Sequence, residues 1–248
     1  MTRPTSAARI ILAAYAPRMA TLALQPLSDK PSARDRAAGV LRVGQRTVLR
    51  FAQPGDAREF LAMLKRSREH LAPWMPRAAR ASEPTLAQKF ERMLPPACNT
   101  PSKLRVLVCA READAAGPAG RIVGVVSLGN IAEWPQLAAT TGYWLGAGET
   151  GKGFMRDALA SMLDIAFEEK KLHRVVANIL PANRRSHAVA EALGFTNEGV
   201  ARGLVEIDGE WRDHAVWSVL STEWRGGRLD RTGPAGARRT ATKGHANG

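Results

Sequence analysis

Thr141-Gly142-Tyr143-Trp144-Leu145 runs directly into Gly146-Ala147-Gly148-Glu149-Thr150-Gly151-Lys152-Gly153, and these glycines run into Phe154-Met155. The first five residues read as a strand. Beyond the glycines, Met155, Ala158, Leu159, Met162, Leu163 and Ala166 recur at the spacing of one helix face, and Lys170-Lys171 put positive charge at its C-terminal end. Strand, glycine loop and helix in this order point the loop N–H groups outward at a helix N-terminus, where unpaired donors and the helix dipole hold anions. The loop nearly fits GxxxxGKS/T, the nucleoside triphosphate signature, but Gly153 stands where a hydroxyl would hold Mg²⁺. It also follows several strands and carries an incomplete GxGxxG, which argues against a dinucleotide site. Read in isolation, the same glycines are more readily a turn that binds nothing.

Working outward, Thr47 to Phe51 reads as a strand stopped by Pro54-Gly55. A helix begins at Asp56, with Phe60, Leu61 and Leu64 on one face, and a second spans Thr85 to Leu94 before Pro95-Pro96. Leu104 to Cys109 and Ile122 to Leu128 are strands joined through the Gly117-Pro118 turn. Downstream lie a strand over Arg174 to Ile179 and a helix over Ser186 to Leu193, which Gly194 closes as a left-handed cap. Val200 to Ile207 and His214 to Leu220 follow, joined at Asp208-Gly209. This order predicts an α/β (α+β) class: a mixed sheet covered by helices.

Gly142-Tyr143-Trp144-Leu145, Gly151-Lys152-Gly153-Phe154-Met155 and Ala158-Leu159 resemble the acetyl-CoA signature of the GNAT N-acetyltransferases. His173-Arg174-Val175, Ala177-Asn178, Asn183 with Ser186, Ala192-Leu193-Gly194-Phe195 and Glu198-Gly199 look like the rest of that pattern, in the family's order. Ile207-Asp208-Gly209-Glu210-Trp211-Arg212-Asp213-His214 is similar to the ending of the ribosomal-protein-alanine N-acetyltransferases, the RimJ/RimL type. The resemblance covers about residues 46 to 224. It implies the GNAT fold, a mostly antiparallel sheet splayed at the acetyl-CoA site, with pantetheine lying in the gap like an added strand. It implies further that backbone groups of Trp144 and Leu145 pair with the pantetheine amides and that N–H groups of Gly151, Gly153, Phe154 and Met155 hold the pyrophosphate. Lys152 would add charge there, although an exposed helix-start lysine reads equally well. The chain departs from the broader Gln/Arg-x-x-Gly-x-Gly/Ala pattern at Gly148.

Acetyl transfer to an amine needs a neutral nucleophile, oxyanion stabilisation and a proton for the leaving thiolate. A backbone N–H near Leu145 suits the oxyanion. The resemblance places Ser186 as the thiolate's proton donor and Asn183 against pantetheine; a helix-start hydroxyl and an ordinary cap are the competing readings. No carboxylate precedes Gly142, where Thr140-Thr141 stand, and Glu133, Glu206 and Asp213 are outside candidates for a base. An α-amine with a pKa of about 7.7–8.0 is roughly a tenth neutral at pH 7, whereas a lysine near 10.4 is neutral about once in 2,500. A site without a strong base therefore favours a protein N-terminus. Cys98 and Cys109 lie away from the glycine loop, which favours direct attack in a ternary complex. The histidines show no metal spacing, and His173 and His214 read as structural hydrogen-bonding residues. Trp74 is either an aromatic gate or core packing, and Trp217 and Trp224 are core.

The 248 residues carry 36 Lys and Arg against 23 Asp and Glu, a formal charge of +13. Residues 1–46 hold +6 and residues 225–248 hold +5, leaving +2 for the span between them. The expected organisation is therefore a basic, disordered extension over 1–45, an acetyltransferase domain over 46–224, and a basic Gly/Arg-rich disordered tail over 225–248. Arg3, Arg9 and Arg18 around Ile10-Ile11-Leu12 loosely resemble a transit peptide, but a plain extension is preferred. Two cysteines exclude a disulfide framework and fit a cytoplasmic home. No apolar run is long enough to span a membrane. The rival readings are an acetyltransferase for a small amine such as an antibiotic, polyamine or amino acid, and a ribosome- or RNA-binding module with a degenerate cofactor site. In either case the basic ends could contact ribosomes.

Overall fold

A computed structural model describes residues 31–74, 83–111, 120–207 and 209–224. Arg3, Arg9, Arg18, the Gly117-Pro118 turn, Asp208 and the residues beyond 224 lie outside the described residues. Among those described, the elements in chain order are α1 (Ala33–Ala37), β1 (Val40–Val43), β2 (Thr47–Arg50), α2 (Ala57–Arg66), α3 (Arg68–Leu71) and α4 (Glu83–Glu91). There follow β3 (Asn99–Thr100), β4 (Lys103–Ala110), β5 (Ile122–Ala132), β6 (Ala138–Leu145), α5 (Phe154–Asp164), β7 (Arg174–Ile179), α6 (Arg184–Ala192), β8 (Thr196–Ile207) and β9 (Glu210–Leu220).

The strands form one sheet in the order β1-β2-β4-β5-β6-β7-β9-β8, with β3 on β4. Every neighbouring pair is antiparallel except β6 and β7. That parallel pair arises because α5 is the crossover between them, and two parallel neighbours require such a connection. Alternation along the strands divides the core between two faces. Leu104, Val106 and Val108 of β4 pack with α5, whose Leu159, Met162 and Leu163 are fully buried. Burial of each of these α5 side chains stabilises the fold by about 2 kcal/mol. Leu107 and Cys109 face the other way, onto Phe60, Met63 and Leu64 of α2 and Phe90 of α4.

Parts of the fold begin earlier than the sequence reading placed them. Strand β1 lies within the span assigned to the extension, yet it pairs with β2 and buries Val40. Its Arg42 reaches Glu168 and Glu169, 2.9 Å from each, on the π-helical turn that continues α5. Helix α4 ends at Glu91, three residues before the expected Leu94, and β8 starts at Thr196, ahead of Val200.

Candidate active site

The parallel pairing of β6 with β7 runs from Ala138↔Arg174 to Thr141↔Ala177 and then stops. Beyond it, β6 continues to Leu145 on β5 alone, and β7 continues to Ile179 on β9 alone. The two strands thus part along the stretch that the glycine loop follows. A cleft of about 1050 Å³ fills the gap, lined by Gly142 to Leu145 on one side and Ala177 to Ile179 on the other.

Which backbone groups face the gap follows from the ladder. Gly146 N–H donates to the Val123 carbonyl at 2.9 Å, and a Cβ on Gly124 would lie 2.3 Å from the Trp144 carbonyl oxygen. Antiparallel strands alternate the direction of their hydrogen-bonding groups, so Trp144 turns its backbone to β5 while Tyr143 and Leu145 turn theirs to the gap. The expectation for Leu145 fits this geometry, but that for Trp144 is corrected: Tyr143 presents the second set of open groups. The Trp144 side chain instead packs on Phe60 with ring centroids 6.1 Å apart.

The loop is held from below. Ala147 N–H donates to Ser67 Oγ at 2.8 Å. The carboxylate of Glu149, only 7% exposed, takes hydrogen bonds from Arg121 and, at 3.1 Å, from Lys152 Nζ. The Arg121 hydrogen bonds, foremost, hold its carboxyl below the usual carboxylate range. Lys152 is thus tied to the loop, and because Glu149 is shared with Arg121 the cluster keeps a net positive charge. Gly148 has φ +80°, a left-handed conformation that Gln or Arg would adopt only under strain, which accounts for its departure from the wider signature. Gly151 and Gly153 adopt the same region. Among the described residues, the N–H groups of Gly151, Lys152, Gly153, Phe154, Met155 and Arg156 have no hydrogen-bond partner. Six N–H groups without partners at the start of α5 suit a pyrophosphate, and the gap beside them suits an extended pantetheine arm.

Arg46 and Arg156, which sequence reasoning missed, stand beside these donors and share a shallow outer pocket with Gly151, Lys152 and Gly153. Arg46 is placed by Asp157 in the first turn of α5. The Asp157 carboxylate accepts from the backbone N–H of Gln45, Arg46 and Thr47 at 3.0, 3.1 and 2.9 Å, and from the Thr47 hydroxyl at 2.6 Å.

Across the gap, Asn183 caps α6 by accepting from the Ser186 N–H at 3.2 Å, so its cap role is observed while both residues also line the cleft. Tyr143 spans the opening: its hydroxyl donates to the Ser186 carbonyl at 3.2 Å. Burial pushes the phenol up to about 12, with the Ser186 hydrogen bond acting the other way. It is therefore a protonated donor at neutral pH. His214 Nδ1 lies 3.0 Å from the Arg212 carbonyl oxygen, which requires the proton on that nitrogen and leaves Nε2 with the lone pair in a neutral ring. The structural role expected of His214 is present, and the buried ring also lines the cleft.

Other candidates fall away. Glu133, Glu206 and Asp213 do not line the cleft, and Asp213 accepts from the Gly203 N–H at 2.7 Å within the β8–β9 hairpin. Cys98 and Cys109 are fully buried, and burial pushes the Cys109 thiol up to about 11. Trp74 lines the cleft half-buried. Trp217 and Trp224 donate instead to His187 Nδ1 at 3.0 Å and Asp164 at 2.7 Å. No group of three or more potential metal ligands occurs among the described residues.

The model of the acetyltransferase (GNAT) domain family matches residues 46–196, more than half of the chain. The chain belongs to the GNAT acetyltransferase family. A Bacillus subtilis (strain 168) relative named "Probable N-acetyltransferase YjcK" is 42% identical over 103 residues, covering 42% of this chain and 57% of the relative. The [ribosomal protein uS5]-alanine N-acetyltransferase of Escherichia coli (strain K12) is 36% identical over 107 residues, 43% of this chain and 55% of that one. The chain thus spans little more than half the length of these two curated relatives. Among solved structures, Mycobacterium smegmatis RimJ in complex with CoA-disulfide superimposes with a TM-score of 0.59 at 29% identity, covering 71% of this chain and 83% of that one. Among the described residues of this chain no helix is long and apolar enough to cross a membrane.

Proposed function

We propose that this GNAT protein transfers acetyl from acetyl-CoA to the N-terminal α-amine of a ribosomal protein in the cytoplasm, by direct attack in a ternary complex. The observation that carries the reading is the gap beyond Thr141 and Ala177, which opens beside six N–H groups without partners. The relatives that act on ribosomal-protein alanine support the choice of acceptor.

Bound there, acetyl-CoA would supply an activated acyl thioester, and this chain's residues do the rest. The loop N–H groups from Gly151 to Arg156 neutralise phosphate charge, assisted by Arg46 and the Arg156 side chain. Tyr143 and Leu145 offer the open backbone groups along β6, and an N–H there suits the developing oxyanion. The Ser186 hydroxyl lies at the Tyr143 phenol, lines the cleft and can give a proton to the leaving sulfur. Asn183 fixes the turn that carries it. His214 Nε2, oriented by Arg212, takes the amine proton directly or through water, because no Asp or Glu is found among the described residues lining the cleft. The buried thiols of Cys98 and Cys109 lie outside the lining, which supports direct transfer. Contact of the basic ends with ribosomes belongs to the same proposal.

The test is a time course of acetyl transfer to peptides read by mass spectrometry. A peptide with a free N-terminal alanine is expected to be acetylated, and one with a blocked N-terminus and free lysines is not. Preferential modification of lysine, or of a small polyamine, would reject the N-terminal assignment.

A further inference from the structure

The acceptor side of the cleft carries charge of one sign. Lys89, Arg92 and Arg105 line it, and no carboxylate is found among its described lining residues. Arg105 is the informative member. On β4 it continues the row of Cys109 and Leu107, on the face covered by α2 and α4, so that an apolar residue is expected there. Across the sheet it aligns with Ser127 of β5, which aligns with Gly142 of β6 at the mouth of the gap. Half-buried, its guanidinium has no hydrogen bond or ion pair among the described residues, and neither does that of Arg92. Burial, foremost, and the charge of Arg92 depress the Arg105 pKa, with Cys98 acting the other way.

These cations are poorly placed for coenzyme phosphates. The free donors begin at Gly151, beyond Leu145, whereas Arg105 aligns with Gly142 at the other end of this stretch, about 10 Å away along the strand. A half-buried guanidinium without a partner, here Arg105 beside the exposed Arg92, is unfavourable unless an anion arrives with the ligand. Both would also disfavour an ammonium nearby, so a cationic wall helps to present the amine neutral.

Resting on the reading of this cleft as an acceptor site, we infer that Arg92 and Arg105 select a protein N-terminus with carboxylate side chains in its first few residues. The carboxylates neutralise the wall while the free amine reaches the gap.

The experiment titrates two tetrapeptide amides into the full chain loaded with CoA: Ala-Asp-Glu-Asp and its uncharged counterpart Ala-Asn-Gln-Asn. Transfer from acetyl-CoA to each is measured in parallel. Partly buried charged hydrogen bonds imply that the acidic peptide binds at least about tenfold more tightly. That preference should shrink on adding salt, and fall to about twofold or less in Arg105→Gln and, for an exposed position that leaves packing intact, Arg92→Gln. Equal binding, no binding of either peptide, or a preference untouched by both substitutions would overturn the inference. Transfer to both peptides alike would overturn it too while sparing the acetyltransferase reading. Acid-selective binding without any transfer would spare the inference and reject that reading.

Discussion

Tyr143, Ser186 and His214 meet around the gap from three different elements, and each has a distinct expected phenotype. Ser186→Ala removes the hydroxyl but not the N–H that Asn183 caps, so helix α6 should persist. It is expected to lower kcat by about 100-fold with little change in KM for acetyl-CoA, measured by steady-state thiol release. His214→Gln is expected to lower kcat most for acceptors whose amine is mainly protonated at the assay pH. Cys98→Ala and Cys109→Ala should keep full transfer activity, because neither thiol lines the cleft; an acetyl-cysteine trapped in the native chain would contradict direct attack. Trp144 shows why the residue scale was only partly legible. The motif identified the strand, but which residues turn their backbone to the gap depends on pairing with Val123 and Gly124, and those partners lie some twenty residues upstream.

At the scale of elements, α5 and β7 were read closely because their signals are local. The three- and four-residue apolar spacing fixes α5, and the short β-branched run from Arg174 to Ile179 is stopped by Pro181. Strand β1 was missed since four residues among arginines carry too little pattern, and only pairing with β2 reveals it. Arg46 was missed for the same reason: it gains its place through Asp157, more than a hundred residues later. Asp157→Ala removes an acceptor of four hydrogen bonds between α5 and the β1–β2 turn. It should cost about 2–3 kcal/mol in urea denaturation and weaken acetyl-CoA binding as Arg46 is released. A second tie joins β7 to β8 across β9: Arg174 pairs with Glu198, which also accepts from Ser218 Oγ at 2.7 Å. The Arg174 hydrogen bond, foremost, pulls the Glu198 carboxyl from 4.5 to about 2. A depressed carboxyl stabilises the fold above its unfolded pKa, and that contribution is lost as pH falls through the folded one. Thermal midpoints should therefore drop between pH 4.5 and 2 more steeply in the native chain than in Glu198→Gln. Parallel curves would remove Glu198 from the acid response.

For the whole molecule, the concentration of charge at the ends separates two activities. The span between residues 47 and 224 holds only +2 of the +13, so a chain cut to 31–224 is expected to keep acetyl-CoA affinity unchanged. Ribosome association, if the basic ends mediate it, should fall steeply with salt and disappear in the shortened chain. Persistent association after shortening would end that proposal. The convergence of Arg92 and Arg105 on one cleft was invisible in the sequence, because they sit on opposite sides of a turn region and meet only when α4 closes over β4. The strand, glycine loop and helix around Gly151, by contrast, were legible because they are contiguous in sequence.

Calorimetric titration of acetyl-CoA into the native chain and into Gly151→Asp tests the cofactor site most directly. Asp at position 151 would have to adopt φ +80° and would set a negative charge among the free N–H groups. Saturable one-to-one binding that is lost in the variant is the predicted result. A folded native chain that takes up no acetyl-CoA, or a Gly151→Asp chain that binds it equally well, would contradict the assignment of the gap between β6 and β7 as the acetyl-CoA site.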